Sequence, residues 1–506
     1  MAPSGLYEKY RPRISEVAPA IINGKREAAL SDERVSVINP ADGTQLLEIV
    51  EADEAQVNHA VGRARDAFLR GSWSRAPLLE RQAVLSRAAN LVRENAEELA
   101  VLDTMTTGLT FAGATHGQAQ AAAGWFDYFA GFLLNMGDDL YRQIPHVQTT
   151  VTRNPVGVAA LFTPWNIPLM GAALKLGAAL SMGNSAVIKP SEQSPLGTIR
   201  LVELLHEAGL PEGVLQLVNG RGAVTGAALA GHADVDLISF TGGEGAGRII
   251  SRMAAERFAK ITMELGGKSA NIIFDDADYD RALDGAIMAI YANNGAACLA
   301  GSRILVQNSI ADKFIADFAD RAKAIAIGDP FDPATELGPQ SSKAHMDRVL
   351  SFKDKVRDEG GEIILDGARV PTLGEGFYIS PTVSVAISNR NAVCQEEIFG
   401  PFATFLTFET EEEAVQIAND TRFGLAGYVW SDNLQRAMRV ADALRTGYVL
   451  VNSPMVRERN APFGGYGHSG IDREGGRWSL DFYSEAKTTV IPFRDFAVPT
   501  MGKSKE

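Results

Sequence analysis

Cys298 lies in Asn293-Asn294-Gly295-Ala296-Ala297-Cys298-Leu299-Ala300-Gly301-Ser302-Arg303, a loop of small residues feeding the apolar run Ile304-Leu305-Val306. With a reference pKa of ~8.5, a thiol is slightly ionised at neutral pH, and a nearby base or dipole raises that fraction. A lone cysteine more commonly fills a core gap. Upstream, however, Met263-Glu264-Leu265-Gly266-Gly267-Lys268-Ser269 sets a carboxylate at the end of an apolar strand, beside glycines that let a ligand approach the backbone. Thiol and carboxylate together suit nucleophilic catalysis with a general base. A bridge to the other cysteine, Cys394, would silence the nucleophile; two cysteines in 506 residues fit a reducing compartment, with both read as thiols.

The elements that must position this pair alternate. Apolar runs at Val158–Phe162, Ser185–Ile188, Val214–Val218, Leu237–Phe240 and Lys260–Met263 are separated mostly by helical stretches. A second series runs through 270–274, 303–306, 402–408, 426–430 and 447–451. Strands alternating with helices predict parallel sheets covered on both faces, here two α/β domains meeting between Glu264 and Cys298, with the site in the cleft. Two amphipathic helices are expected between Asp53 and Leu102 around Trp73, a third over Gln118–Leu134, and another over Arg248–Phe258. The segment Phe482–Pro492 reads as a strand available to another subunit's sheet edge, followed by a loose polar tail after Phe493.

A formal charge of −14 argues against a nucleic-acid or anionic-membrane partner, and 46% hydrophobic with 22% charged residues is a globular composition. No run approaches the ~18 apolar residues of a spanning helix, and Met1–Ala20 lacks the core of a secretion signal, so a cytoplasmic location is expected. The seven histidines are scattered without metal-ligand spacing, so no metal is expected.

Seven motifs in register resemble the aldehyde dehydrogenase superfamily. They are Phe162-Thr163-Pro164-Trp165-Asn166-Ile167-Pro168, Ile188-Lys189-Pro190-Ser191-Glu192, Phe240-Thr241-Gly242, the Glu264 and Cys298 segments, Glu396-Glu397-Ile398-Phe399-Gly400-Pro401, and Pro462-Phe463-Gly464-Gly465. The resemblance implies a coenzyme domain over 1–136 and 156–265, a catalytic domain over 266–470, and an oligomerisation arm and tail over 137–155 and 471–506. A homodimer or homotetramer follows by analogy. It also implies that Cys298 attacks an aldehyde and that the Asn166 amide and the Cys298 N–H hold the resulting oxyanion, a donor of that kind contributing about 2.7–4 kcal/mol. Glu264 would activate the water that hydrolyses the thioester, and Glu474 would relay its proton. The bland alternatives are a turn role for Asn166 and an ion pair of Glu264 with Lys268. A coenzyme-independent thiol esterase is the competing function.

By the same resemblance NAD is the coenzyme, with NADP as the alternative. Lys189 and Glu192 match the pair on the adenosine ribose, where a carboxylate repels a 2′-phosphate. Thr163, Pro164, Trp165, Ser191, Gly222, Gly226, Phe240, Thr241, Gly242, Gly243, Leu265 and Gly266 complete that face. Gly243 departs from the serine most relatives carry there. Glu397 matches a residue gripping the nicotinamide ribose, unless it is a surface acid, and Phe399 the ring beside it. The substrate, a small-molecule aldehyde, would pass Ile167, Leu174, Phe463 and Arg457. Arg457 and the ending Gly470-x-x-Arg473-Glu474-Gly475-Gly476 are similar to those of muconic-type semialdehyde dehydrogenases, which implies a carboxylate-bearing semialdehyde. Otherwise Arg457 pairs with Glu458 or another acid, and the channel takes bulky or aromatic neutral aldehydes.

Overall fold

The computed structural model describes residues 5–27, 31–495 and 498–502. The first four residues of the amino-terminal segment and the end of the polar tail, 503–506, lie outside the described residues.

An eight-stranded sheet carries the first half of the site. Its order is Gly470–Ile471, Lys260–Glu264, Leu237–Thr241, Val158–Phe162, Ser185–Lys189, Leu215–Leu217, Ala20–Ile22 and Lys25–Glu27. The middle strands, from Lys260–Glu264 to Leu215–Leu217, are parallel, and the others add antiparallel edges. After Val158–Phe162 the chain first builds outward through Ser185–Lys189, then returns to the other flank with Leu237–Thr241. The crevice beyond the carboxyl ends of strands at such a reversal is where ligands bind in open α/β sheets. Thr163 and Gly242 follow those two strand ends directly.

A seven-stranded sheet carries the other half, in the order Glu362–Leu365, Thr382–Val385, Phe402–Phe408, Arg303–Gln307, Ala270–Ile273, Ala426–Trp430 and Tyr448–Val451. All its pairings are parallel except that of Glu362–Leu365. Two α/β sheets are thus present, as the alternation predicts. The edge strand Glu362–Leu365 and its neighbour Thr382–Val385 escape the hydrophobic pattern because they are four residues each, one half exposed and the other rich in hydroxyls. Glu264 ends a strand of the first sheet and Ala270 begins one of the second, so Leu265–Ser269 is the crossing between them.

The helices differ from expectation in their breaks. Glu54–Arg70 is capped by Asp53, whose carboxylate accepts the Gln56 N–H, and ends at left-handed Gly71. The following stretch is split by non-helical Asn95 into Leu78–Glu94 and Ala96–Thr107. The expected Gln118–Leu134 helix is the α-helix Ala121–Leu133 entered through the π-helical turn Ala114–Gln120. The expected Arg248–Phe258 helix runs from Glu244 to Ala255, so Gly247 lies within it and Gly243 caps it.

The C-terminal strand Ser484–Pro492 pairs antiparallel with Val147–Pro155 of its own chain. Asp139–Tyr141 completes a three-stranded sheet, in which Ser484–Pro492 remains an edge. No described helix is long and apolar enough to cross a membrane. No group of three or more His, Cys, Asp or Glu among the described residues is placed to hold a metal.

Candidate active site

The Cys298 loop is shaped by backbone that few sequences adopt. Beyond the helix Tyr279–Tyr291, Asn293 and Asn294 both have φ of 57°, and Gly295 follows at 74°. Asparagine tolerates this left-handed region better than most residues. At Gly295 a side chain is excluded outright, since a Cβ would sit 2.2 Å from the Gly400 carbonyl carbon. Asn294 ties the loop down: its Nδ2 donates to the Gly108 and Pro339 carbonyls (2.9 and 3.0 Å), and its Oδ1 accepts the Gly338 N–H at 2.9 Å. Both cysteines are free thiols. Cys298 is half-buried, and burial first, then the Glu264 and Glu397 charges, push its thiol up to about 12 against the pull of Arg457. Ionisation of this thiol therefore requires a base.

Glu264 is buried with both carboxylate oxygens unpartnered. Desolvation, then the charge of Glu474, hold it well above the usual carboxylate range, opposed by Lys175, Arg457 and Arg473. It makes no ion pair with Lys268, whose buried ammonium also lacks a hydrogen-bond partner. The two halves of the site meet closely, for a Cβ on Gly267 would stand 2.5 Å from the Cys298 carbonyl oxygen. Behind Glu264, the buried Glu474 Oε1 accepts from Lys175 Nζ at 2.6 Å and Ser239 Oγ at 3.2 Å. Lys175, on the helix Pro168–Ser181, escapes sequence reading because its partner lies 299 residues away. The hint was a lysine in an otherwise apolar helix.

Asn166 precedes that helix. Its Nδ2 donates to the Ala296 carbonyl at 2.8 Å, two residues before the cysteine, and its own carbonyl accepts from Asn293 Nδ2 at 3.2 Å. One N–H of the carboxamide is thus engaged and the second is available. Asn166 thus ties its own turn to the Cys298 loop.

Arg457 is directed inward. Its guanidinium stacks 4.1 Å from the Phe463 ring centre and 5.2 Å from that of Trp125. Nε and Nη2 are buried without a hydrogen-bond partner, and among the described residues no acid, Glu458 included, forms an ion pair with it. Glu474, Glu264 and Cys298 all act on its charge. Ile167 packs beside Gly171, and Leu174 belongs to the same buried cluster as Trp125.

The opposite face gathers the residues expected to hold a dinucleotide. Lys189 Nζ lies 3.6 Å from Glu192 and donates to the Pro190 carbonyl, while Ser191 Oγ accepts the Gln193 N–H. A Cβ on Gly226 would lie 3.5 Å from Lys189 Cε. Gly222 opens a π-helical turn, and both it and Gly243 have empty space where a Cβ would be. The Phe240 ring covers Gly242, and Leu265 covers Gly247. Pro164 packs on Gly171, and Thr241 ends its strand opposite Glu264. Trp165 meets Phe399 edge to face at 5.3 Å. Glu397 is half-buried, with Oε1 accepting the Gly267 N–H at 3.0 Å and Oε2 against Gly266, and burial raises it to about 7. The Thr163 hydroxyl is buried with no partner. An orphaned hydroxyl, open glycine helix entries and a partly exposed carboxylate together fit a dinucleotide.

Residues 27–489 match the aldehyde dehydrogenase family. The chain is 40% identical over 469 residues to betaine aldehyde dehydrogenase of Bacillus subtilis (strain 168), covering 92% of this chain and 96% of that one. It is 40% identical over 463 residues to 5-carboxymethyl-2-hydroxymuconate semialdehyde dehydrogenase of Escherichia coli, covering 90% and 97%. The crystal structure of Staphylococcus aureus betaine aldehyde dehydrogenase in complex with NAD+ superposes with a TM-score of 0.95 at 37% identity, covering 98% of this chain and 100% of that one. The fold, the paired thiol and carboxylate, and this likeness along nearly the whole chain place the protein in the aldehyde dehydrogenase family.

Proposed function

We propose that this NAD-dependent aldehyde dehydrogenase oxidises a semialdehyde carrying a carboxylate at its far end to the free acid. The observation that carries the substrate assignment is Arg457, a guanidinium stacked on Phe463 with Nε and Nη2 buried and unpartnered. An unpaired buried donor costs about 1–3 kcal/mol, more when charged, and a bidentate carboxylate is the ligand that removes the cost. Cys298 attacks the aldehyde carbon, giving up its proton to Glu264, which passes it on by way of Glu474 and returns to its carboxylate form. The free N–H of Asn166 and the Cys298 N–H receive the oxyanion. When bound, NAD supplies the acceptor for the aldehydic hydride, which leaves the acyl group on Cys298 as a thioester. Lys189 and Glu192 would hold its adenosine ribose, the entry at Gly242 and Gly243 its pyrophosphate, and Glu397 its nicotinamide ribose. Glu264 then deprotonates the hydrolytic water, and Glu474, held by Lys175 and Ser239, takes the proton onward. A base at Glu264 favours hydrolysis to the acid over transfer of the acyl group to a thiol acceptor.

The test is initial NADH formation from two aldehydes of equal length, one ending in a carboxylate and one in a methyl group. The acid is expected to be preferred in kcat/KM by at least ~10-fold, the value of one charge-assisted pair. Equal efficiencies would instead indicate an apolar channel that takes neutral aldehydes.

A further inference from the structure

The ribose end of the coenzyme site carries opposing signals. Glu192 repels a 2′-phosphate, whereas a nearby arginine is the side chain that accommodates one. Arg221 is such an arginine. It lies in the Gly220-Arg221-Gly222 turn, its carbonyl accepts the Gly226 N–H at 3.2 Å, and a Cβ on Gly226 would touch the Lys189 stem. The Glu192 charge acts on Arg221, and the charge of Glu51 acts on Lys189, so the four groups share one neighbourhood.

Glu51 decides between these signals. Its side chain is 3% exposed, while that of Arg221 is 49% exposed. Glu51 Oε1 accepts the Arg221 backbone N–H at 2.9 Å and Nε at 3.0 Å, and Oε2 accepts Nη2 at 2.5 Å. The side-on edge of the guanidinium, with which arginine grips a phosphate through two parallel bonds, is therefore taken. Glu33 adds a further carboxylate 3.6 Å from Nη2. A buried carboxylate with this geometry holds the arginine and cancels its charge together.

We propose that Glu51 is a coenzyme-selectivity residue, engaging the phosphate-gripping edge of Arg221 so that the ribose end favours NAD over NADP. The proposal rests on the coenzyme-site reading above. It is tested by calorimetric dissociation constants of NAD+ and NADP+ for the full-length protein, with melting temperature as the check on folding. Glu51→Gln keeps the shape and removes the charge, and should tighten NADP+ about tenfold while leaving NAD+ within about threefold. Arg221→Ala changes only the exposed partner and leaves Glu51 unbalanced, so NADP+ should weaken by a similar factor. The double variant should lack the gain of Glu51→Gln. A ratio of the two constants that does not move in either folded variant overturns the proposal. Loss of the site reading has its own signature: Glu192→Ala would then change neither constant, which overturns both.

Discussion

Cys298→Ala is expected to abolish steady-state aldehyde oxidation, lowering kcat by at least ~10³-fold, because no other group in the site can form the covalent acyl intermediate. Cys394, the other thiol, is fully buried in a separate core cluster of the second sheet and offers no substitute. Substitution at Cys298 removes a half-buried sulfur on a loop whose shape is held by Asn294 and Gly295, so the scaffold should survive. The check is paired: NADH formation by absorbance, and NAD+ binding by calorimetry. Retained turnover with retained binding would remove Cys298 from the chemistry.

Glu264→Gln should produce a different defect. Steady-state kcat is expected to fall ~10²–10⁴-fold, the usual contribution of a positioned general base. Because Glu264 serves both thiol attack and deacylation, the first turnover of NADH should slow together with the steady state, with no stalled acyl-enzyme visible by intact-protein mass spectrometry. A rapid first turnover approaching one equivalent of NADH per site would instead confine Glu264 to deacylation. The pH dependence follows from the raised pKa of Glu264. Below that pKa the group is a neutral acid and cannot accept a proton, so wild-type deacylation should rise with pH through a midpoint above the ordinary carboxylate range. Glu264→Gln should flatten that rise, and a midpoint unchanged by the substitution would place the titrating group elsewhere.

Legibility in the sequence followed the range of the interactions. The central strands of both sheets were readable because buried parallel strands are short continuous apolar runs between helices. Edge strands such as Glu362–Leu365 were not, since half-exposed positions blur the pattern. Asn166 and Cys298 lie on loops and Glu264 at a strand end, where expected, because strand ends and glycine-rich turns leave a local signature. Lys175 with Glu474, Asn294 with Gly108 and Pro339, and Glu51 with Arg221 carried no such mark. Each pairs residues distant in the chain, and only the packed fold brings them together. The pairing of the C-terminal strand with Val147–Pro155 was not legible for a related reason: an exposed edge sequence shows that a strand will pair but not with which edge. Arg457 stood between. Its position was visible, but whether it turned to Glu458 or inward depended on the aromatic surface made by Trp125 and Phe463.

The most direct measurement is the ratio of kcat/KM for the acid-ended and neutral aldehydes in wild type and in Arg457→Ala, with NAD+ at saturation. The wild-type preference is expected to collapse toward unity in Arg457→Ala, chiefly through loss on the acid, with the neutral aldehyde little changed. An unchanged ratio, or an equal loss on both aldehydes, would contradict Arg457 as the carboxylate clamp and with it the semialdehyde assignment.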